Sequence, residues 1–430
     1  MKDLLARDAE FVWHPFTQHQ TAGTPLPIES AKDSLLHLSD GTTLIDAISS
    51  WWTSLFGHGR TELIEAIRHQ AQTLDHVIYA GCTHHPAVDT AEKLIEFSQF
   101  QNGKVFFSDN GSTAVEVALK ATTQYWQNLG HPERREFITF ANAYHGDTIG
   151  AMSAGDPGDF GRPFKELLFH THRIELPLIH DEQEVVEEKL KKLHTCFERL
   201  DKRLAGIIVE PMVQGAGGMQ MTSPETLSTL IALTHRFGGL VIADEVMTGF
   251  GRTGKLFGHH HQEQKPDILC VAKGLTGGTL PLAATIFRHG IFEAFLDSKK
   301  EKAFLHGHSF TANPIACAAA NASLSLMKTP EFEADLARIE GTTRTLLDNL
   351  KGHRNSAEQR HLGTIGAIKL AGGGGYFAGN KLDVPATARQ GGVLLRPLGN
   401  VLYTMPPLST TDEQLQVIYG VIEDCLDKWS

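Results

Sequence analysis

The sequence has few features of a secreted, membrane-bound or nucleic-acid-binding protein. Its five cysteines are widely separated and odd in number, which argues against a disulfide framework or a zinc site and favours a reducing compartment. No apolar run is long enough to cross a membrane, and the first sixteen residues carry five charges without the apolar stretch of a signal peptide. The 39 basic residues are outnumbered by 50 acidic ones, and no Lys/Arg block could follow a phosphate backbone. We therefore expect a cytoplasmic protein with no membrane, nucleic-acid or metal partner.

The sequence contains enough apolar residues to form a sizeable core. Of the 430 residues, 41 % are apolar and 21 % are charged, which predicts one large and one small domain. From about residue 103, short apolar runs alternate with longer amphipathic segments. The predicted strands are 105–107, 137–140, 207–209, 240–243, 268–271 and 282–286, and predicted helices between them include 113–126 and 224–237. This alternation predicts an α/β fold with a mostly parallel sheet covered by helices.

The two ends of the chain have a different pattern. Residues 1–60 are rich in turn signals, and the segment after residue 329 contains helical patterns at 332–350 and 411–429. We predict that residues 1–60 and 330–430 together build the small domain, with residues 61–329 as the large one.

Polar residues that directly follow apolar strands point to a ligand site, because ligands of open α/β sheets bind beyond the carboxyl ends of the strands. Asp244 follows one predicted strand, and Lys273 follows another and precedes a glycine-rich turn. Gly111 and Ser112 stand between a strand and a helix, where free N–H groups and a hydroxyl would bind a phosphate. An amine with a lowered pKa, a carboxylate and a phosphate site are the three anchors that pyridoxal 5'-phosphate (PLP) requires.

Each of these motifs also has an ordinary structural interpretation. An acidic pair after a strand is often a helix cap, a Lys-Gly is often the end of a surface helix, and a Gly-Ser-Thr is often an N-cap. Only the order of the three motifs along the chain and their positions beside predicted strands favour one cofactor site over three unrelated helix caps.

Three segments carry a resemblance to a known family: DEVMTGFGRTGK, PDILCVAKGLTGG and HGHSFTANPIACAAA. They are similar to the cofactor-site segments of the class III aminotransferases, and the likeness extends over nearly the whole chain. It implies a fold type I PLP-dependent transferase in which Lys273 forms the Schiff base and Asp244 pairs with the pyridine nitrogen. Gly111 and Ser112 would hold the phosphate, and Tyr144 would stack on the ring.

The same resemblance implies a homodimer with shared active sites. In such a dimer His308 and Ser309 would reach the phosphate of the cofactor in the neighbouring subunit.

Further segments are similar to the biotin-pathway members of this family: VWHPFTQ, ISSWWTSLFGHG, AYHGDTIGAMS, EPMVQGAGGMQM and LLRPLGNVLYTMPP. The likeness implies transfer of an amino group from S-adenosylmethionine to 8-amino-7-oxononanoate, by a ping-pong mechanism with Lys273 as the catalytic residue. Arg396 would bind the distal carboxylate of the oxononanoate chain. The substrate-site residues that the likeness implies are Phe16, Trp51, Tyr144, Gly307, Arg396 and Tyr403.

Several alternatives stay open at this point. Phe16 stands where many members have a tyrosine, and Leu398 where some have an aromatic residue. Trp51 could be core and Arg396 half of a salt bridge, while the run 259–261 is expected to be a solvated loop. Rival functions are the same step with lysine as donor, another ω-aminotransferase, a PLP decarboxylase or mutase, and a non-catalytic ligand sensor.

Overall fold

The computed structural model describes residues 3–372 and 382–429. Its strands, in chain order, are β1 Ile28–Lys32, β2 Leu35–Leu38, β3 Thr43–Asp46, β4 Lys104–Ser108, β5 Glu136–Phe140, β6 His172–Ile174, β7 Leu204–Val209, β8 Val213–Gln214, β9 Gln220–Met221, β10 Leu240–Asp244, β11 Ile268–Val271, β12 Ala283–Phe287, β13 Ser356–Leu362, β14 Ile365–Leu370, β15 Val393–Leu394 and β16 Val401–Thr404.

The α-helices are α1 Leu4–Phe11, α2 Ser49–Trp52, α3 Thr61–Thr73, α4 His85–Ser98, α5 Gly111–Asn128, α6 Ile149–Ala154, α7 Gly158–Gly161, α8 Gln183–Leu200, α9 Pro224–Arg236, α10 His289–Glu293, α11 Pro314–Leu326, α12 Pro330–Asn349, α13 Val384–Gln390 and α14 Asp412–Lys428. Short 3-10 helices lie at Arg162–Leu167, Asp201–Arg203, Gly258–His261, Lys273–Thr276 and Lys300–Lys302. None of the helices within the described ranges is long and apolar enough to cross a membrane.

A seven-stranded sheet forms the centre of the molecule. Its strand order is β4-β12-β11-β10-β7-β5-β6, and only β12 runs antiparallel to its neighbours. Every residue of β7, β10 and β12 is buried, as expected for strands covered on both faces. The α/β prediction with a mostly parallel sheet is therefore confirmed, and the predicted strands all belong to this sheet.

Two smaller sheets bring the ends of the chain together. The first has the order β1-β2-β3-β15, and its last pair is parallel, with Ile45 beside Val393 and Asp46 beside Leu394. The second, β13-β14-β16, is antiparallel and is made from the C-terminal part of the chain alone. Residues separated by almost the whole length of the chain thus share one sheet.

The prediction of a solvated loop at the histidine run is wrong. His259 is only 2 % exposed, and its Nδ1 lies 2.9 Å from Oε1 of the fully buried Glu245. The backbone N–H groups of Gly258 and His259 also donate to that carboxylate, at 2.8 Å each. Burial lowers the pKa of the adjacent His260 to about 4. The run is therefore a short 3-10 helix with His259 buried and His260 and His261 half-buried. Within the described residues no acidic, histidine or cysteine group is arranged to hold a metal ion.

Candidate active site

A cleft beyond the carboxyl ends of β7, β10 and β11 has two connected parts. The first, a cavity of about 750 Å³, is called the polar compartment and is lined by residues that include Ser112, Glu210 and Asp244. The second, of about 900 Å³, is called the aromatic compartment and is lined by residues that include Phe16, Trp51, Trp52, Phe160, Arg396 and Tyr403. Lys273 lines both cavities, together with Trp52, Tyr144 and His145. The amine of Lys273 therefore lies at the junction of the two compartments.

Lys273 begins a short 3-10 helix two residues after the end of β11. Its φ of +49° belongs to the left-handed region that residues with side chains rarely adopt, so the surrounding fold holds its backbone. Its Nζ lies 4.4 Å from the centroid of the Trp52 ring. Burial lowers the pKa of the amine to about 8, against the opposing effect of the Asp244 and Glu210 carboxylates. At pH 7 about a tenth of this amine is therefore neutral and nucleophilic, a far larger share than at its ordinary pKa.

Asp244 ends β10, and its side chain is buried against His145. His145 Nδ1 lies 2.7 Å from Asp244 Oδ2, and the Val246 N–H donates to Oδ1 at 3.0 Å. The other ring nitrogen of His145, Nε2, is buried and has no hydrogen-bond partner. The imidazole and the Val246 N–H therefore orient a carboxylate that lines the polar compartment.

Glu210 is a second buried carboxylate in the polar compartment, one residue beyond the end of β7. It accepts hydrogen bonds from the backbone N–H groups of Tyr144 at 3.0 Å and Gly215 at 2.9 Å. Burial raises its pKa to about 7, and the nearby Asp244 acts in the same direction. Sequence reasoning missed Glu210, although it follows an apolar strand as Asp244 does, and the same rule could have found it.

Gly111 and Ser112 open α5, which Asn110 caps by accepting from the Thr113 N–H at 3.0 Å. A Cβ on Gly111 would lie 2.5 Å from a methyl group of Val246, so only glycine allows this close approach. Ser112 Oγ lies 2.7 Å from Thr148 Oγ1. The backbone N–H groups at the start of this helix face the polar compartment, where they favour an anion.

The aromatic compartment is organised around Arg396. Its guanidinium carbon lies 4.2 Å from the centroid of the Trp51 ring and 5.9 Å from that of Phe16. Phe16 in turn makes edge-to-face contacts with Trp51 at 5.6 Å and with Phe160 at 6.2 Å. Leu398 also lines this compartment. A cation among large rings forms a site for a substrate with an apolar body and an anionic end.

Trp52 and Tyr403 connect the two compartments. Trp52 Nε1 donates to Tyr403 Oη at 2.9 Å, and burial raises the pKa of Tyr403 to about 12, so its phenol stays neutral. On the opposite side of the cleft, Tyr144 Oη donates to Asp147 at 3.0 Å. Trp52 and His145 were missed, although each directly adjoins a residue that was predicted, namely Trp51 and Tyr144.

The structure thus brings together nine of the residues predicted for the site, which line one or both compartments: Phe16, Trp51, Gly111, Ser112, Tyr144, Asp244, Lys273, Arg396 and Tyr403. The remaining three, Gly307, His308 and Ser309, lie outside both compartments, in the turn that precedes α11. The expectation for His308 and Ser309 concerned the site of a neighbouring subunit.

Comparison with known proteins agrees with this geometry. The profile of the family described as "Aminotransferase class-III" matches residues 16–426. This chain belongs to the class-III aminotransferase family. It is therefore an enzyme, and its large sheet is that of the PLP-dependent transaminases of fold type I.

Individual relatives align with almost the full length of this aminotransferase. It is 46 % identical over 420 residues to the adenosylmethionine-8-amino-7-oxononanoate aminotransferase of Synechococcus elongatus, covering 97 % of this chain and 98 % of the relative. The crystal structure of the enzyme of that name from Methanocaldococcus jannaschii is 33 % identical, with a TM-score of 0.88 and 98 % of each chain covered. An amine transaminase from an uncultivated Pseudomonas species, in its PLP-bound form, is 30 % identical with a TM-score of 0.91, covering 98 % of this chain and 99 % of that one.

The cofactor of class-III aminotransferases is PLP, and the residues of the polar compartment fit that cofactor. An amine with a lowered pKa, a buried carboxylate and the first residues of α5, Gly111 and Ser112, line one cavity. These are the chemical partners of an aldehyde, a pyridine nitrogen and a phosphate ester.

Proposed function

We propose that this aminotransferase moves an amino group from S-adenosylmethionine to 8-amino-7-oxononanoate, giving 7,8-diaminononanoate in biotin biosynthesis. Relatives with the corresponding name match nearly the full chain at 46 % and 33 % identity. The observation that carries the proposal is Arg396 against Trp51, in a compartment that opens from Lys273. A planar guanidinium suits a carboxylate, and the aromatic wall suits a long alkyl chain.

In this proposal the polar compartment would hold PLP by its aldehyde, its pyridine nitrogen and its phosphate ester. Lys273 binds the aldehyde carbon, and Asp244 keeps a proton on the pyridine nitrogen. Gly111 and Ser112 bind the phosphate, and Tyr144 stacks on the ring. The contacts of Asp244 support this role, because His145 Nδ1 at 2.7 Å and the Val246 N–H restrict the rotation of its carboxylate.

Lys273 is also the proposed proton carrier. When bound, PLP supplies an electron-accepting ring that allows the C–H bond at the amino-bearing carbon of a substrate to break. Lys273 Nζ would accept that proton and would donate one to the carbon of the cofactor that receives the amino group. Its pKa of about 8 suits both steps, because a base works best when its pKa lies near the working pH.

Both substrates use the same cleft in turn. We assign the distal carboxylate of 8-amino-7-oxononanoate to Arg396, and its alkyl chain to the wall that includes Phe16, Trp51 and Tyr403. The donor leaves as a keto product before the acceptor enters, which requires ping-pong kinetics.

We also propose a homodimer in which Gly307, His308 and Ser309 of one subunit complete the site of the other. His308 Nε2 is buried without a hydrogen-bond partner in the single chain, and the three residues lie outside their own cleft. A cytoplasmic location is proposed as well, since all five cysteines are free thiols.

A two-stage half-reaction tests the function. The PLP-loaded protein is mixed with S-adenosylmethionine, and the cofactor absorbance is followed for conversion to the pyridoxamine form. Excess donor is then removed, 8-amino-7-oxononanoate is added, and 7,8-diaminononanoate is measured by mass spectrometry. We expect conversion and product with the natural protein, and neither with Lys273→Ala.

Other outcomes have defined meanings. Conversion by lysine but not by S-adenosylmethionine keeps the acceptor and replaces the donor. Absence of diaminononanoate with every donor contradicts the biotin-pathway assignment, while a response to other ω-amino donors would assign the chain to a different class-III reaction.

A further inference from the structure

Asp46 holds the turn that carries both pocket tryptophans. It ends β3, and its carboxylate is fully buried. Oδ1 accepts from the Ile48 N–H at 3.2 Å and the Ser50 N–H at 2.9 Å. Oδ2 accepts from the Ser50 hydroxyl at 3.0 Å, and His58 Nε2 lies 3.1 Å from the same oxygen. One carboxylate therefore satisfies donors from three positions around the turn.

The turn itself, α2, has a backbone that needs such support. Ser49, Ser50 and Trp52 have φ angles of +49°, +59° and +67°, in the region that side chains disfavour. Three such residues within four positions are stable only when the surroundings fix them. The hydrogen bonds to Asp46 provide that constraint directly at Ser50.

The same turn sets the spacing of groups in both compartments. Trp52 lies beside Lys273 Nζ at 4.4 Å, and Trp51 lies beside the Arg396 guanidinium at 4.2 Å. Ser49 Oγ donates to the Met405 carbonyl at 2.8 Å, just beyond β16, which carries Tyr403. The pairing of β3 with β15 places Asp46 beside Leu394, two residues before Arg396.

We propose that Asp46, together with His58, is a positioning residue that fixes the distance between the reacting amine and the carboxylate-binding Arg396. It acts through the tryptophan turn and touches neither substrate nor cofactor. The identity of the substrate rests on the proposed function, whereas the contacts of the turn do not. Loss of the carboxylate weakens substrate binding more than the chemical step, because Lys273 and Asp244 are held by other elements.

Asp46→Asn tests this directly, since it keeps the size of the side chain and replaces one acceptor oxygen by a donor. Single-turnover rates of the pyridoxamine form against the concentration of 8-amino-7-oxononanoate, the substrate whose carboxylate is assigned to Arg396, give an apparent dissociation constant and a limiting rate. We expect the dissociation constant to rise about tenfold or more and the limiting rate to stay within about threefold. Hydrogen exchange of a peptide covering residues 47–54 should be faster, because the oxygen that accepts from Ser50 and lies beside His58 becomes a donor, and the remaining oxygen carries no charge.

Asp267→Asn is a matched control. Asp267 is also a buried carboxylate, 5 % exposed, and it lies directly before β11 of the large sheet, where Arg288 Nη1 donates to its Oδ1 at 2.8 Å. It accepts from the Val241 N–H at 2.8 Å and lies 2.9 Å from His235 Nε2. This variant should lower the unfolding temperature without changing the substrate dissociation constant or the exchange of residues 47–54.

A second pair of variants covers the case in which Asp46→Asn does not fold. His58→Gln can still donate an N–H to Asp46, whereas His58→Ala cannot. We expect the glutamine variant to retain most of the substrate affinity that the alanine variant loses; equal affinity in the two variants would overturn a role for His58.

Two results overturn the role of Asp46: an equal loss of substrate affinity in Asp46→Asn and Asp267→Asn, or faster exchange at the turn with an unchanged dissociation constant. Failure of the natural protein to aminate 8-amino-7-oxononanoate would instead refute the proposed function. The comparison of variants is then made with whichever amino donor the natural protein accepts, and the same two results decide it.

Discussion

The polar and aromatic compartments of the cleft adjoin at Lys273, yet they are built in different ways. The polar compartment is made by the ends of strands in one large sheet and by the start of α5, so the strand order of that sheet determines where its groups lie. The aromatic compartment joins an N-terminal segment, a turn with unfavourable φ angles and a strand from near the C-terminus. A cofactor site can thus be fixed by one sheet, whereas the substrate site depends on distant parts of the chain meeting.

The sharpest test of the polar compartment is Asp244→Asn. It removes the negative charge that faces the proposed ring nitrogen while leaving a side chain of the same size beside His145. We expect the limiting rate of the half-reaction to fall on the order of 10²- to 10³-fold, with substrate affinity little changed. Stopped-flow absorbance measures both quantities. A fall in affinity with an unchanged rate would contradict the division of roles between the compartments.

Glu210→Gln tests how burial in the polar compartment makes the stability of the fold depend on pH. Since the folded pKa of Glu210 is about 7 and its ordinary value is 4.5, the folded protein holds this proton more tightly than the unfolded chain does. The resulting stability is complete below pH 4.5 and is lost as the pH rises through 7. We expect this contribution, about 3 kcal/mol, to be absent in the glutamine variant. Chemical denaturation of the apoenzyme from pH 4.5 to 8 measures it; parallel stability curves for the two proteins would refute it.

The smallest expected effect belongs to the aromatic compartment. Arg396→Leu removes the proposed partner of the distal carboxylate and should weaken binding of 8-amino-7-oxononanoate about 10- to 100-fold. An acceptor of the same length without that carboxylate should be almost unaffected by the change. The two acceptors are compared in the second half-reaction. An equal loss for both would mean that Arg396 supports the tryptophan wall rather than the substrate.

The polar compartment could be predicted from the sequence because its signals are local. Buried parallel strands appear as continuous apolar runs, so the ends of β10 and β11 were visible, and with them Asp244 and Lys273. Gly111 and Ser112 were predicted in a similar way, because they stand between a predicted strand and a predicted helix.

The aromatic compartment could not be assembled in this way. Asp46 and Leu394 are neighbours across β3 and β15, and Trp52 donates to Tyr403, but no local pattern links residues about 350 positions apart. The family resemblance implied that Trp51 and Arg396 belong to the site. It did not indicate that the Asp46 carboxylate holds the turn that carries Trp51. The error at the histidine run has the same origin, because the acceptor that allows His259 to be buried is Glu245, outside the run.

The pairing of β3 with β15 also sets an order in which the enzyme can be assembled during synthesis. The seven strands of the large sheet lie between residues 104 and 287, so the ribosome has delivered all of them well before residue 393 emerges. The strand ends that line the polar compartment can therefore assemble while β3 still lacks its neighbour β15. The substrate site forms later, because it needs β15, which leads to Arg396 and pairs with β3 across about 350 residues, and β16, which carries Tyr403.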